Sequence, residues 1–364
     1  MTETITPVVD VVAAMLAAHA QVLSAAEVSV GVRAAGRTRA DVRAALWDEG
    51  GSPAALLRTH GPRGTVHLLP TRELPLWSAA LAAVPAVGRF AADIRLTDDR
   101  AAQVVAAIAD ALDGTTLTIA ELDEEVVART GPWAGERVMP AFQDLWPRWR
   151  QVLHRAGQSG ALCFGPNRGR KVTYTRPPRF DPLPTPEALR ILVRRYLHAF
   201  GPATPQDFAK WPAAPGGWAT GLFASAAGAG EIEEVDFAGT RAWVAAGDTV
   251  FPEGPVRGVR LLPYFDAYVI AAQPREVLFP GAAYRRALAG GQAGNHPVLL
   301  VDGVVAGVWH QRRQGRRTTV TVEPLGKLTA SQVRELGERV ERAGEVLEAR
   351  PELVIGKVTS GPHA

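Results

Sequence analysis

Residues 38–70 read TRADVRAALWDEGGSPAALLRTHGPRGTVHLLP, and the two ends of this stretch decide the fold. At its start, Thr38-x-x-Asp41 pairs a hydroxyl that accepts one free N–H with a carboxylate that accepts another, the signature of a helix N-terminus. At its end, ALLRTH and TVHLLP flank Gly61-Pro62-Arg63-Gly64, two apolar runs around a tight turn, which predicts a hairpin. The combination recurs. Thr118-x-x-Glu121 opens ELDEEVVA, and GALCF and KVTYT flank GPNRGR; Thr204-x-x-Asp207 opens DFAKW, with Pro205 at the favoured first helical position, and EIEEVDF and RAWVA flank AGT. The three starts lie 80 and 86 residues apart.

A further helical run precedes each start, at roughly 25–34, 99–112 and 186–199. Helix, helix, third segment and hairpin is the order of a winged helix, and three tandem copies would occupy about residues 8–246. Ordinary capping in a helix-rich protein leaves the same local marks, so the pattern by itself keeps that alternative open. Beyond it, VRGVRLLPYFDAYVIAA, HPVLLVDGVVAGVWHQ and TTVTVEP read as short strands. QVRELGERVERAGEVLEA then has helical spacing behind Thr329. The expected class is α+β: winged-helix units at 1–95, 96–182 and 183–256, a β-rich element at 257–328, and a closing helix with a tail at 329–364.

The chain has 364 residues, 47% of them hydrophobic, enough for two or three domains with buried cores. Its 40 basic and 37 acidic residues leave a net charge of +3, so attraction to a polyanion must come from local clustering. Cys163 is the only cysteine, which excludes a disulfide or a cysteine-based metal site within this chain and suits a reducing cytosol. The opening residues carry no basic leader, and no run approaches the ~20 apolar residues of a membrane span, so a cytoplasmic protein is expected. HExxH, GxSxG, GxGxxG and a complete phosphate loop are all missing.

Chemistry points first to His19-Ala20-Gln21. The first helix is expected from Thr6 with Pro7 at its first position, and Ser24-x-x-Glu27 reads as the capping box of the next. Residues i and i+2 point about 200° apart on a helix but share a side in extended chain. At this junction His19 and Gln21 would project into one cleft with Ala20 turned inward. An imidazole that accepts a proton near neutral pH beside a carboxamide suits hydrolysis by a positioned water. Taken alone, the tripeptide also reads as a helix end whose His and Gln bond the backbone.

Cations mark the turns: Arg63 in the first hairpin, Arg168, Arg170 and Lys171 in the second, and Arg312, Arg313, Arg316 and Arg317 around Gln314-Gly315. Such tips either reach DNA phosphates or are solvated surface. His60 and His67 flank the first turn, where one surface and one partly packed residue are expected, and no metal site. Trp133, Trp146 and Trp149 are expected in the core of the second unit. Asp266, an acid inside an apolar strand, is either a satisfied buried group or a neighbour of the site.

The stretches LAAHAQVLSAAEVSVGVR, GPRGTVHLLPTREL, RRYLHAFGPATPQDFAKW, LLPYFDAYVIA and VDGVVAGVWHQRRQGRRTTVTVEPL span most of the chain. In that order they resemble the AlkZ/YcaQ family of bacterial winged-helix DNA glycosylases, RYLHAFGPATPQDFAKW most specifically. The resemblance implies three winged helices around a concave channel and a monomer that binds duplex DNA carrying an alkylated purine. It implies excision of that base without metal or organic cofactor. The family's Gln-Φ-Gln or Gln-Φ-Asp motif, with Φ apolar, falls on His19-Ala20-Gln21. Gln21 matches its last position, Ala20 the spacer, and His19 departs from its first. Self-resistance to a DNA-alkylating natural product, and association with the nucleoid when DNA is bound, extend this reading. The rivals are a non-enzymatic winged-helix regulator or lesion-binding shield, and a scaffold that binds protein.

Overall fold

The three Thr-x-x-acid signals are capping boxes in the computed structural model of the chain, which describes residues 7–48, 51, 54–85, 90–141, 144–250, 253–288 and 291–361. Thr38 Oγ1 accepts from Ala40 N–H at 3.2 Å and Asp41 Oδ2 accepts from Thr38 N–H at 2.8 Å. Thr118 with Glu121, and Thr204 with Asp207, repeat the exchange.

The chain begins α1 (Val8–Ala14), β1 (Ala18–His19), α2 (Leu23–Gly31), α3 (Arg39–Leu46), β2 (Leu56–His60), β3 (Val66–Pro70) and α4 (Leu74–Ala82). Then come α5 (Asp98–Ala111), β4 (Leu117–Thr118), α6 (Ile119–Thr130), α7 (Pro132–Gly135), the hairpin β5 (Arg137–Pro140) and β6 (Leu145–Pro147), α8 (Leu153–Gln158), β7 (Cys163–Arg168) and β8 (Lys171–Thr175). A third stretch runs α9 (Thr185–Phe200), α10 (Pro205–Lys210), α11 (Gly216–Gly228), β9 (Ile232–Phe237) and β10 (Thr240–Ala245).

Each stretch places a very short extended segment between its first two helices, and that segment pairs antiparallel with the second strand of the hairpin. The partners are Ala18↔Leu68, Leu117↔Tyr174 and the single bridge Ala203↔Trp243. This pairing corrects the sequence register of the repeat. Thr118 and Thr204 open the helix that follows the short strand, whereas Thr38 opens the helix after that, because α1 and β1 already precede α2. The 80-residue spacing therefore joins non-equivalent helices.

The rest is a five-stranded sheet, ordered β11 (Val259–Leu262), β12 (Val298–Val301), β13 (Val304–Gln314), β14 (Arg317–Pro324) and β15 (Arg350–Ile355). Helices α12 (Ala267–Ala271), α13 (Arg275–Leu278) and α14 (Ala282–Ala287) pack Val269, Phe279 and Ala283 with Val298 and Val308 of the sheet. Helix α15 (Ala330–Leu347) packs Leu336 and Val340 with Leu299, Trp309 and Val320, which alternate to the other face. Among the described residues no helix is long and apolar enough to cross a membrane.

Several expectations are corrected. Pro7 is the N-cap of α1 rather than its first residue, and Thr6 lies outside the described residues. Ser24 caps nothing: α2 starts at Leu23 without a side-chain cap, and Glu27 is wholly buried in an ion pair with Arg43 at 2.6 Å. Residues 267–271, expected in a strand, are helical, and Asp266 is the N-cap of α12, accepting from Tyr268 N–H at 3.1 Å. The C-terminal tail contributes β15, parallel to β14. Trp149 is fully buried with its indole N–H on Asp123, but Trp146 is 43% exposed on β6.

Neither His60 nor His67 is at the surface; both are buried, His67 on β3 between β1 and β2, and His60 at the end of β2 against Phe164 of β7. Burial first, then the charges of His154 and Arg58, lowers the His60 imidazole to about 4. Burial also holds His67 well below the usual range, helped by the neighbouring His19 and Arg63.

Caps and buried imidazoles both bear on stability. Thr204→Ala should cost about 1 kcal/mol, read as a lowered melting temperature, while Ser24→Ala should move it by less than about 0.5 kcal/mol. A base whose folded pKa lies below its unfolded value stabilises above the unfolded pKa and loses that contribution as pH falls towards the folded one. His60 should thus remove about 3 kcal/mol between pH 6.5 and 4, and His60→Leu should flatten the melting temperature across that window.

Candidate functional site

Helix α1 ends at Ala14, and Leu16 (φ 52°) and Ala17 (φ 82°) then adopt left-handed backbone that turns the chain back along β3. His19 stands opposite His67, and Ala20 N–H continues the ladder to Val66 O at 2.7 Å. The helix that would have set His19 and Gln21 apart has ended. Ala20 is completely buried, as expected of an inward spacer.

The two flanking residues differ in depth. Gln21 is exposed, and its Oε1 accepts from Val66 N–H at 3.4 Å, where a regular ladder would use Ala20 O. Ala20 O instead accepts from Arg58 Nε at 3.1 Å, and the Arg58 guanidinium lies 4.3 Å over the Phe164 ring. His19 is only 8% exposed. Its ring is 5.0 Å from His67, edge to face, and 4.5 Å from Phe265, tilted 30°. His67 Nδ1 is 2.9 Å from Thr65 O, which can only accept, so that nitrogen carries the proton of the neutral ring. Gly61 permits this: a Cβ there would lie 2.8 Å from His67 Nδ1.

His19, His67, Arg63, Trp211, Phe265 and Ile270 enclose much of a cavity of about 10 Å³. That is room for about one water molecule, and Gln21 does not line it. The expectation of one cleft shared by both side chains is therefore corrected: the imidazole faces the cavity and the carboxamide lies at the surface.

Arg63 also differs from a projecting turn cation. It adopts φ 60°, donates to Trp211 O at 2.6 Å and is lowered to about 10 by burial and by Arg275. Eight non-glycine residues among those described have positive φ, and four of them, Leu16, Ala17, Arg63 and Phe265, line this cavity. Backbone of this kind costs of order 1–3 kcal/mol per residue and gathers where function over-determines the geometry.

Asp266 is a satisfied buried group that also adjoins the site. Its two carboxylate oxygens accept from Arg33 at 2.8 Å each, and Oδ2 accepts from Ser29 Oγ. The remaining candidates lie apart from the cavity. Arg168 donates to Glu121 and to Thr116 O, both at 2.7 Å, while Arg170 and Lys171 are exposed at the tip of their hairpin. Arg312, Arg313, Arg316 and Arg317 are exposed on the end of the β13–β14 hairpin, where Gln314 pairs with Arg317, well past the last β12 partner at Val308. Arg313 is tied to Gly315 O at 3.0 Å. Among the described residues no cluster of three metal-ligating side chains occurs.

Arg58 and Phe265 escaped sequence reasoning, and His67 was read only as a residue beside the first turn, because strand pairing and a distant turn bring them to the motif.

A family model described as DNA glycosylase AlkZ-like matches residues 12–346. An interstrand DNA cross-link repair glycosylase of Streptomyces sahachiroi is 30% identical over 324 residues, 82% of this chain and 81% of that protein. The solved structure of the Streptomyces sahachiroi DNA glycosylase AlkZ superposes with a TM-score of 0.76 at 26% identity, covering 97% of this chain and 95% of the other. Family model, sequence and three-dimensional likeness agree over nearly the full length: this chain belongs to the AlkZ-like DNA glycosylases.

Proposed function

We propose that this enzyme is a monofunctional glycosylase that hydrolyses the N-glycosidic bond of N7- or N3-alkylated purines in duplex DNA, bulky adducts included. The observation that carries this reading is the placement of His19 behind Gln21 on one extended segment, with a water-sized space at the imidazole. Ligand pockets usually measure roughly 300–1,000 Å³. A cavity of about 10 Å³ takes water and no purine, which favours attack on a nucleotide approached from a groove over one extruded into a pocket. The Streptomyces sahachiroi relative is named for cross-link repair, and a site without a base pocket suits a lesion too large to extrude.

Alkylation at N7 or N3 leaves the purine cationic, so its departure with the bonding electrons needs no general acid. Gln21 stands at the surface, and on DNA binding its carboxamide, bonded here to Val66 N–H, turns to stabilise the developing positive charge on the sugar and to hold the attacking water. His19, behind it, orients or deprotonates that water as its oxygen bonds C1′. No lysine lines the cavity among the described residues, and a bifunctional enzyme would need such an amine as its nucleophile.

The helix–short strand–helix–helix–hairpin order supports reading 1–95, 96–182 and 183–256 as winged-helix units around a concave channel, with 257–328 and 329–364 completing a monomer. Arg168, Arg170 and Lys171 then face the duplex, Arg63 turns from Trp211 O on the cavity wall to a phosphate near the lesion, and the β13–β14 tip with Arg312, Arg313, Arg316 and Arg317 grips its minor groove. A cytoplasmic, nucleoid-associated role in self-resistance accords with this lesion class.

Duplex DNA carrying N7-methylguanine, or a bulky N7-guanine adduct, should acquire abasic sites on incubation with the protein. Gln21→Ala should lower the single-turnover rate by about 10²-fold or more, and His19→Ala by a similar factor. Equal background from wild type and Gln21→Ala would leave a lesion-binding shield as the better account. Replacing Arg312, Arg313, Arg316 and Arg317 by alanine should weaken binding and reduce the slope of log K against log salt by about 1 for each phosphate no longer neutralised.

A further inference from the structure

The structure assigns Phe265 as the positioning residue of the His19 imidazole, held in place by the anchoring of Asp266 to Ser29 and Arg33. This assignment rests on the reading of His19 as the group that takes the proton from water.

The backbone at Phe265 is unusual. A phenylalanine at φ 55° occupies backbone that bulky side chains avoid, so something else must hold the turn. Two sets of hydrogen bonds do so. Phe265 N–H donates to Gly294 O at 2.9 Å, and the next residue, Asp266, is among the least exposed carboxylates of the molecule. Its oxygens are claimed by both terminal nitrogens of Arg33, by Ser29 Oγ and by the N–H of Tyr268. Ser29 lies on α2, the helix that starts two residues after Gln21, and Arg33 lies just beyond its end.

A buried bidentate ion pair with its remaining lone pairs satisfied is a poor device for adding net stability and a good one for fixing a single arrangement. Here it fixes the turn after β11 to the helix behind the motif. The consequence reaches His19 through the phenyl ring, which lies 4.5 Å from the imidazole and closes one wall of the cavity, while His67 meets the imidazole edge to face from another side. An imidazole held between two rings presents a fixed nitrogen direction to a water, which is what a base acting through one small cavity requires.

The test combines a spectroscopic and a kinetic reading on the full chain. Histidine ring signals are assigned by their loss in His19→Ala. In wild type the His19 ring protons should carry an upfield ring-current shift, and Phe265→Leu should abolish it. Phe265→Leu should also slow single-turnover base release from N7-methylguanine duplex by about 10²-fold with DNA affinity unchanged, the cost of a small misplacement. Phe265→Tyr, which keeps the ring, should restore both. Ser29→Ala, which removes one bond to Asp266 without stranding a charge, should move the His19 signals in the same direction to a smaller extent.

Unmoved His19 signals with a wild-type rate in Phe265→Leu would overturn the assignment, as would a rate loss matched by an equal loss of affinity. If Phe265→Leu fails to fold, Ser29→Ala and Phe265→Tyr decide by the same signals. Full activity of His19→Ala would instead remove the proton-accepting role on which the assignment rests, an outcome separate from the ring-current result.

Discussion

The site depends on the pairing of two residues. Ala18 and His19 lie antiparallel to Leu68 and His67, and the ladder runs on through Ala20 N–H to Val66 O. Without that ladder the residues after α1 would have no reason to leave helical geometry, since AAMLAAHAQ has strong helix formers throughout. Leaving it requires two non-glycine residues in left-handed backbone, at roughly 1–2 kcal/mol each. The pairing and the complete burial of Ala18 and Ala20 in the first core offset that cost. Pairing also sets depth, because the spacer is turned into the core while the residue before it is covered by Phe265 and the residue after it stands at the surface.

The same strand explains why the repeat was legible in kind and misread in register. A capping box is written within four residues, so Thr38, Thr118 and Thr204 announced their helices correctly. The short strands that define equivalence are two residues, two residues and a single bridge, below the length at which alternation is visible. In the first stretch the following helix also lacks the threonine cap its counterparts use. Val22 stands at that position with no side-chain bond, so the local marker is absent where the motif sits. A protein that forgoes a cap next to His19-Ala20-Gln21 shows the local inconsistency that functional segments display.

Other misreadings share one cause, tertiary packing overriding a local signal. Ser24-x-x-Glu27 has the form of a capping box, yet Glu27 is drawn into the interior by Arg43. YFDAYVIAA reads equally as strand or helix because short apolar runs have no decisive period, and the N-capping carboxylate of Asp266 settles it as helix. The acid that looked anomalous in a strand is ordinary at a helix start, and its other bonds, to Ser29 and Arg33, span more than 230 residues. No window of sequence contains them.

Charge is arranged on the same scaffold. A net +3 over 364 residues is close to neutral, yet the cations beside the motif are half-buried and bonded to carbonyls. Arg58 donates to Ala20 O, Arg63 to Trp211 O, and Arg275 to Val269 O and Ile270 O. Burial lowers all three guanidinium pKa values, and Arg63 and Arg275 repel one another. Guanidinium groups remain protonated under such conditions, so the folded protein holds positive charge in a poorly solvated place. Their hydrogen bonds to main-chain carbonyls fix where each guanidinium points. The backbone that places the motif, left-handed at Leu16, Ala17, Arg63 and Phe265, thus also fixes Arg63 beside it.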